Sequence, residues 1–169
     1  MLAGDRYDAS DPELVAARER ARALTNGFNR TRADARERRR ALLSTLLGTL
    51  GDDCEIEPPF HCDYGVNIHV GDDVYANVGC VILDVCRVEV GANCKLGPGV
   101  HLYAAPHPLD PGERATGVEY GKPVTVGENV WVGGRAVLTP GVSIGDDSVV
   151  GAGAVVTEDV PEGVVVQGN

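Results

Sequence analysis

An aliphatic side chain returns every six residues along most of this chain, a spacing that neither a helix nor an isolated strand produces. A helix repeats its inward face at about 3.6 residues and a strand at about 2. From residue 126 the series runs without a gap through Val126, Val132, Leu138, Ile144, Val150 and Val156. Gly127, Gly133, Gly145 and Gly151 follow four of these. Val130, Ala136, Val142, Ser148, Ala154 and Val160 stand four places after each aliphatic. Upstream the period appears in two blocks, Val70, Ala76, Ile82 and then Val90, Leu96, Leu102, separated by a two-residue slip. A period of six with glycine punctuation is the signature of a parallel β-helix. Its coils are triangular, one aliphatic points inward per face, and small residues let the backbone turn the corners.

The first 55 residues read differently, as a helical cap. Ser10-Asp11-Pro12-Glu13 has the pattern of a capping box. Behind it Leu14, Ala17, Ala21, Leu24 and Phe28 recur at three and four, one face of a helix that Asn26-Gly27 should stop. A second helix should start near Thr31–Asp34, carry Leu42, Leu43, Leu46 and Leu47 inward, and end at Gly48. Ten of the 13 arginines lie in residues 1–40. Arg36, Arg38, Arg39 and Arg40 read as a solvated helix face paired with acids rather than as a binding patch. Residues 56–169 form the expected β-helix, interrupted at 103–123 by a segment with four prolines and no repeat. So long a loop inside a compact repeat fold marks function or disorder, and it contains His107.

Charge narrows the partners. The chain has 25 acids and 15 bases, and the whole net charge of -10 lies beyond residue 55. Such a surface repels phosphate backbones and argues against nucleic acid. Carboxylates in excess with only two lysines, Lys95 and Lys122, fit a high-salt (halophilic) cytoplasm. No apolar run approaches the roughly 18 residues of a membrane helix, and Met1–Arg6 lacks the order of an export signal. Cys54, Cys62, Cys80, Cys86 and Cys94 form no CxxC pair, which points to reduced, buried thiols rather than disulfides or a metal site.

Several motifs make the assignment specific. They are Glu57-Pro-Pro-Phe-His-Cys-Asp-Tyr-Gly65, Tyr75-Ala-Asn77, Leu83-Asp-Val-Cys86, Pro98-Gly-Val100, His107-Pro-Leu-Asp110, Gly121-Lys-Pro123, Asn129-Val-Trp-Val-Gly-Gly134 and Gly151-Ala-Gly-Ala-Val-Val-Thr157. With the helical cap, they resemble the maltose and galactoside O-acetyltransferase family of hexapeptide-repeat acyltransferases over essentially the whole chain. The resemblance implies a mainly β, left-handed parallel β-helix, a homotrimer with sites between subunits, and transfer of acetyl from acetyl-CoA to a sugar hydroxyl.

Residue by residue, the resemblance makes His107 the general base. The chemistry needs one, because a sugar hydroxyl is too weakly acidic to attack a thioester at neutral pH, and an imidazole can take its proton. His61 and His69 read as coil-edge residues, and His101 precedes an inward Leu102. The resemblance assigns Asn77, beside Tyr75, to positioning of the acceptor. It puts Asp63, Asp84, Glu119, Arg18 and, more loosely, Asp11 around the sugar. Asp63 and Glu119 bring it closer to the maltose type than the galactoside type, which points to glucose or maltose. For the coenzyme it implies Trp131, Gly134, Ala152, Thr157 and Glu158, with the Gly134 amide facing the tetrahedral oxyanion. The family's basic tail lies beyond Gly168-Asn169, so Lys122 and Arg135 are the local cations. Two other readings stay open at this point. One resembles the γ-class carbonic anhydrases, zinc hydratases on the same coil, with His101, His107 and His69 as ligands. The other is a trimeric scaffold without catalysis.

Overall fold

In the computed structural model, which describes residues 1–168, the hexapeptides form three parallel sheets wrapped around one core. Asn169, the last residue of the expected β-helix, lies outside the described residues. The first face stacks Thr49–Leu50, Ile68–Val70, Val88–Val90, Val124–Val126 and Ser143–Ile144. The second stacks Glu55–Ile56, Tyr75–Ala76, Lys95–Leu96, Trp131–Val132, Val149–Val150 and Val165–Val166. The third stacks His61–Cys62, Val81–Leu83, His101–Tyr103, Val137–Leu138 and Val155–Val156. Each coil donates its amides to the carbonyls of the next, as in Gly127 N–H to Ile144 O at 2.8 Å. Inward aliphatics sit above one another and are buried, among them Val126, Val132, Leu138, Ile144 and Val150. The small residues four places on (Val130, Ala136, Val142, Ser148, Ala154) are buried too and fill the corners.

Coil stacking explains the glycines. A Cβ on Gly133 would strike the backbone nitrogen of Ala152 in the next coil. Where the chain turns from the first face to the second it uses Asp53, Asp73, Asn93, Asn129 and Asp147, with φ between 51 and 62°. Asp and Asn tolerate this left-handed conformation better than other L-residues.

Pairing of the β-helix begins earlier than the expected break at residue 55. Thr49 and Leu50 already pair with His69 and Val70, and Glu55 with Tyr75. The helical segment is α1 (Pro12–Asn29) and α2 (Arg36–Leu46). Two local expectations fail there. Asp11, not Ser10, caps α1, accepting from the Glu13 amide at 2.9 Å, while the Ser10 hydroxyl donates to Asp8. And α1 does not stop at Asn26-Gly27. Continuing one more turn buries Phe28 completely, worth roughly 2–3 kcal/mol, against about 1 kcal/mol for a helical glycine. From α2, Arg39 reaches Glu57 at 3.2 Å and Arg40 reaches Asp52 at 3.0 Å, so two of the clustered arginines clamp the first coils. Cys80, Cys86 and Cys94 are buried, Cys54 and Cys62 half-buried, and all five are free thiols. No described helix is long and apolar enough to cross a membrane.

The corner between the first and second faces concentrates charge: Asp52 and Asp53 stack on Asp72 and Asp73, and Glu128 on Asp146, Asp147 and then Glu162, with one uncharged coil (Ala92, Asn93) between the two groups. Coils lie about 4.8 Å apart, where two like charges in water repel by roughly 0.8 kcal/mol. Salt at 1 M shortens the screening length to about 3 Å. The melting temperature should therefore rise by about 5 °C between dilute buffer and 1 M NaCl, given roughly 2–4 °C per kcal/mol for a chain of this size. A flat or falling Tm in a salt titration would show that these carboxylates are already compensated.

Candidate active site

The slip between the two upstream repeat blocks and the long break after Tyr103 both fall where the third face turns to the first. Stacked there, they open a cavity of about 340 Å³. Ala9, Leu83, Val85 and Ala105 make its apolar wall, and Arg18, Asp63, Tyr64, His107 and Glu119 its polar one.

The segment bearing His107 is ordered from within. Asp110 caps a short helix, α3 (Pro111–Ala115), by accepting from the Glu113 amide at 2.7 Å. Arg114 then donates to the Pro108 and Leu109 carbonyls at 2.9 and 3.0 Å. This clamps the backbone next to His107, whose ring is exposed. The loop closes through the Lys122 amide on the Ala104 carbonyl at 3.0 Å. Its outgoing strand, Val118–Glu119, pairs antiparallel with Tyr7–Asp8 near the N-terminus.

Arg18, from α1, donates to the Tyr64 hydroxyl at 2.7 Å and to the Ala9 carbonyl at 2.6 Å, with its guanidinium over the Tyr64 ring. Its charge thus enters the cavity with its orientation fixed. Burial pushes the Asp63 carboxyl above its ordinary range, partly offset by Arg18 and reinforced by the charge of Glu119. Burial also raises the Tyr64 phenol, with the Arg18 hydrogen bond pulling the other way.

Of the residues expected around the sugar, His107, Arg18, Asp63 and Glu119 share this cavity. Asp84 does not line it. It is fully buried behind the wall, its carboxylate accepting from the amides of Asp63, Tyr64 and Asn67 at 3.1, 2.9 and 3.3 Å. Burial lifts its pKa to about 7 against the pull of those amides. Asp11 is the α1 cap, its carboxylate on the Glu13 amide. Tyr75 and Asn77 sit on and just after the second face, at the opposite edge of the third. There the Asn77 side-chain oxygen accepts from the Val78 amide at 2.8 Å.

The residues expected at the coenzyme divide the same way. Trp131, 58% exposed, projects from the second face, and Gly134 and Ala152 turn the corner after it, Gly134 packed against Pro98. Thr157 and Glu158 lie exposed on the His107 edge. One chain therefore carries two half-sets on two edges. His101 is engaged elsewhere, its Nδ1 hydrogen-bonded to the Tyr103 hydroxyl. Sequence reasoning missed Tyr64, Leu83, Val85 and the strand at Tyr7–Asp8. Tyr64 and the 83–86 segment lie within motifs already singled out, so their presence was legible but their cavity position was not.

Comparison with known proteins agrees with the geometry. Residues 1–51 match the maltose acetyltransferase hexapeptide capping motif, and residues 123–158 match the hexapeptide repeat of succinyl-transferase. Galactoside O-acetyltransferase of Escherichia coli (strain K12) is 40% identical over 168 residues, covering 99% of this chain and 83% of the relative. The crystal structure of a maltose O-acetyltransferase from Clostridium difficile 630 superimposes with a TM-score of 0.98 at 48% identity, covering 99% of this chain and 90% of that one. A galactoside acetyltransferase in complex with coenzyme A superimposes with a TM-score of 0.95 at 38% identity, covering 98% and 83%. With these matches the zinc-hydratase alternative loses its ground. A left-handed parallel β-helix with this cap makes the chain a member of the maltose and galactoside O-acetyltransferase family, an acetyltransferase of the hexapeptide-repeat type.

Proposed function

We propose that this protein transfers the acetyl group of acetyl-CoA directly to a hydroxyl of a glucose- or maltose-type sugar, with His107 as general base. The observation that carries the reading is the cavity that His107 shares with Asp63, Glu119 and Arg18 and with the apolar Leu83 and Val85. A sugar offers hydroxyl donors to the carboxylates, hydroxyl acceptors to Arg18, and an apolar ring face to the wall.

In this reading an acceptor hydroxyl gives its proton to the His107 imidazole as its oxygen attacks the thioester carbonyl. The tetrahedral oxyanion is held by the Gly134 amide; such a donor is worth about 3 kcal/mol of barrier. Collapse expels the coenzyme thiolate, which recovers the proton from the imidazolium, so no acyl-enzyme forms. The bound coenzyme in a structural relative supports the donor, and the exposed indole of Trp131 offers it an aromatic face. Asn77, Trp131, Gly134 and Ala152 lie on the edge away from His107. The site is therefore completed between neighbouring chains of a homotrimer, one chain giving each edge.

The test is thioester cleavage, followed by release of free thiol, with a panel of sugars. Glucose and maltose should stimulate acetyl-CoA turnover above galactosides, and sedimentation should give about three times the 17.7 kDa chain mass. Turnover unaffected by every sugar would favour the scaffold reading.

A further inference from the structure

The N-terminal segment before α1 contacts α1, α3 and the outgoing end of the loop that carries His107. Tyr7 pairs directly opposite Glu119, and Asp8 opposite Val118, the one antiparallel ladder among the described strands. Directly opposed residues project to the same side of a ribbon, and the Tyr7 hydroxyl donates to Glu119 Oε2 at 2.8 Å. Arg6 forms an ion pair with Glu113 of α3. Gly4, at φ +81°, runs against the Gly121 carbonyl, where a Cβ would come within 3.3 Å. Ala9 lines the cavity, and its carbonyl holds Arg18.

We propose that Tyr7 is a positioning residue for the acceptor, acting through Glu119: it fixes that carboxylate by one oxygen and leaves the other to take an acceptor hydroxyl. The proposal rests on the reading of the cavity as the sugar site. A glutamate on a two-residue strand has three free torsions and no ion-pair partner among the described residues. Only the phenol, set by the strand register, selects one rotamer. Burial and the neighbouring Glu119 hold the phenol well above its ordinary range, so it stays protonated and donates across the working pH. The strap gives the cap a part in acceptor binding beyond covering the end of the coil.

The experiment compares Tyr7→Phe, Glu119→Ala and the double variant with the wild type, using acetyl-CoA and whichever panel sugar it accepts. Phe keeps the ring and the strand pairing and removes only the donor. Tyr7→Phe should raise the acceptor KM by about 5- to 30-fold, less than the roughly 13- to 160-fold of a whole hydrogen bond to a charged group, because Glu119 still visits the productive rotamer part of the time. The acetyl-CoA KM should not move, and the trimer should persist. In the Glu119→Ala background Tyr7→Phe should add less than about 2-fold, because the path through Glu119 is already gone. A Tyr7→Phe protein that melts earlier with an unchanged acceptor KM would mark Tyr7 as a mere staple and overturn the proposal. So would a full additional factor in the Glu119→Ala background. A wild type that accepts no sugar would instead overturn the sugar-site reading, and this proposal with it.

Discussion

His107→Ala should lower kcat by about 100- to 10,000-fold while leaving acetyl-CoA affinity nearly unchanged. In the proposed mechanism the imidazole acts on the acceptor proton, whereas the proposed coenzyme residues Trp131, Gly134, Ala152 and Thr157 belong to the coils rather than to the 104–123 loop. Because His107 is exposed, truncation opens no buried void, and the melting temperature should stay within about 2 °C. Asn77→Ala should instead raise the acceptor KM and lower kcat together. If the two residues meet only between subunits, His107→Ala and Asn77→Ala chains assembled together should recover part of the activity that neither has alone. Near-normal turnover per His107→Ala trimer would remove the mechanism, and lost turnover that tracked lost assembly would make His107 structural.

The coil was legible because its rule is local. Each inward aliphatic between Val126 and Val156 is set by a spacing of six, and each such residue is buried as expected. The helical cap was legible in kind but not at its ends. Whether α1 stops at Gly27 depends on what Phe28 packs against, and that is decided by tertiary contacts rather than by propensity. The cavity was half legible. His107 and Asp63 could be placed by motif and Arg18 and Glu119 by the family resemblance, but neither says which way a carboxylate faces. Asp84 carries the same chemistry as Asp63 and lies in the same corner, yet it points at backbone amides. The Tyr7–Asp8 strand left no trace in the sequence pattern. Two residues have no periodicity, and their partners lie more than a hundred positions away.

Asp84→Ala should be the most destabilising single change near the site, by about 3–4 kcal/mol. Three amides, those of Asp63, Tyr64 and Asn67, converge on one buried carboxylate. The Asn67 side-chain amide also closes the turn onto the Asp84 carbonyl at 2.7 Å. Each buried donor left without an acceptor costs about 1–3 kcal/mol, but the three belong to one turn that can relax together, so the sum is not their total. At roughly 2–4 °C per kcal/mol the melting temperature should fall by about 10 °C. Acceptor KM should rise as well, since the same turn carries Asp63 and the Tyr64 that orients Arg18. Asp84→Asn separates the hydrogen bonds from the charge. Its oxygen keeps the Asp63 and Tyr64 amides, and only the long contact to Asn67 is lost, for about 1 kcal/mol at pH 5. The pH dependence has a definite sign. The folded pKa of Asp84 is raised from 3.8 to about 7, chiefly by burial. Its contribution to stability is then full below 3.8 and is lost as pH rises through 7, while asparagine does not titrate. The stability of the wild type relative to Asp84→Asn should therefore fall from pH 5 to pH 8, by enough to reverse a gap of about 1 kcal/mol. A gap that widens instead would mean that the three amides outweigh burial and that the carboxylate is charged throughout. An Asp84→Ala protein melting within 2 °C of the wild type would mean that the turn is held by other contacts.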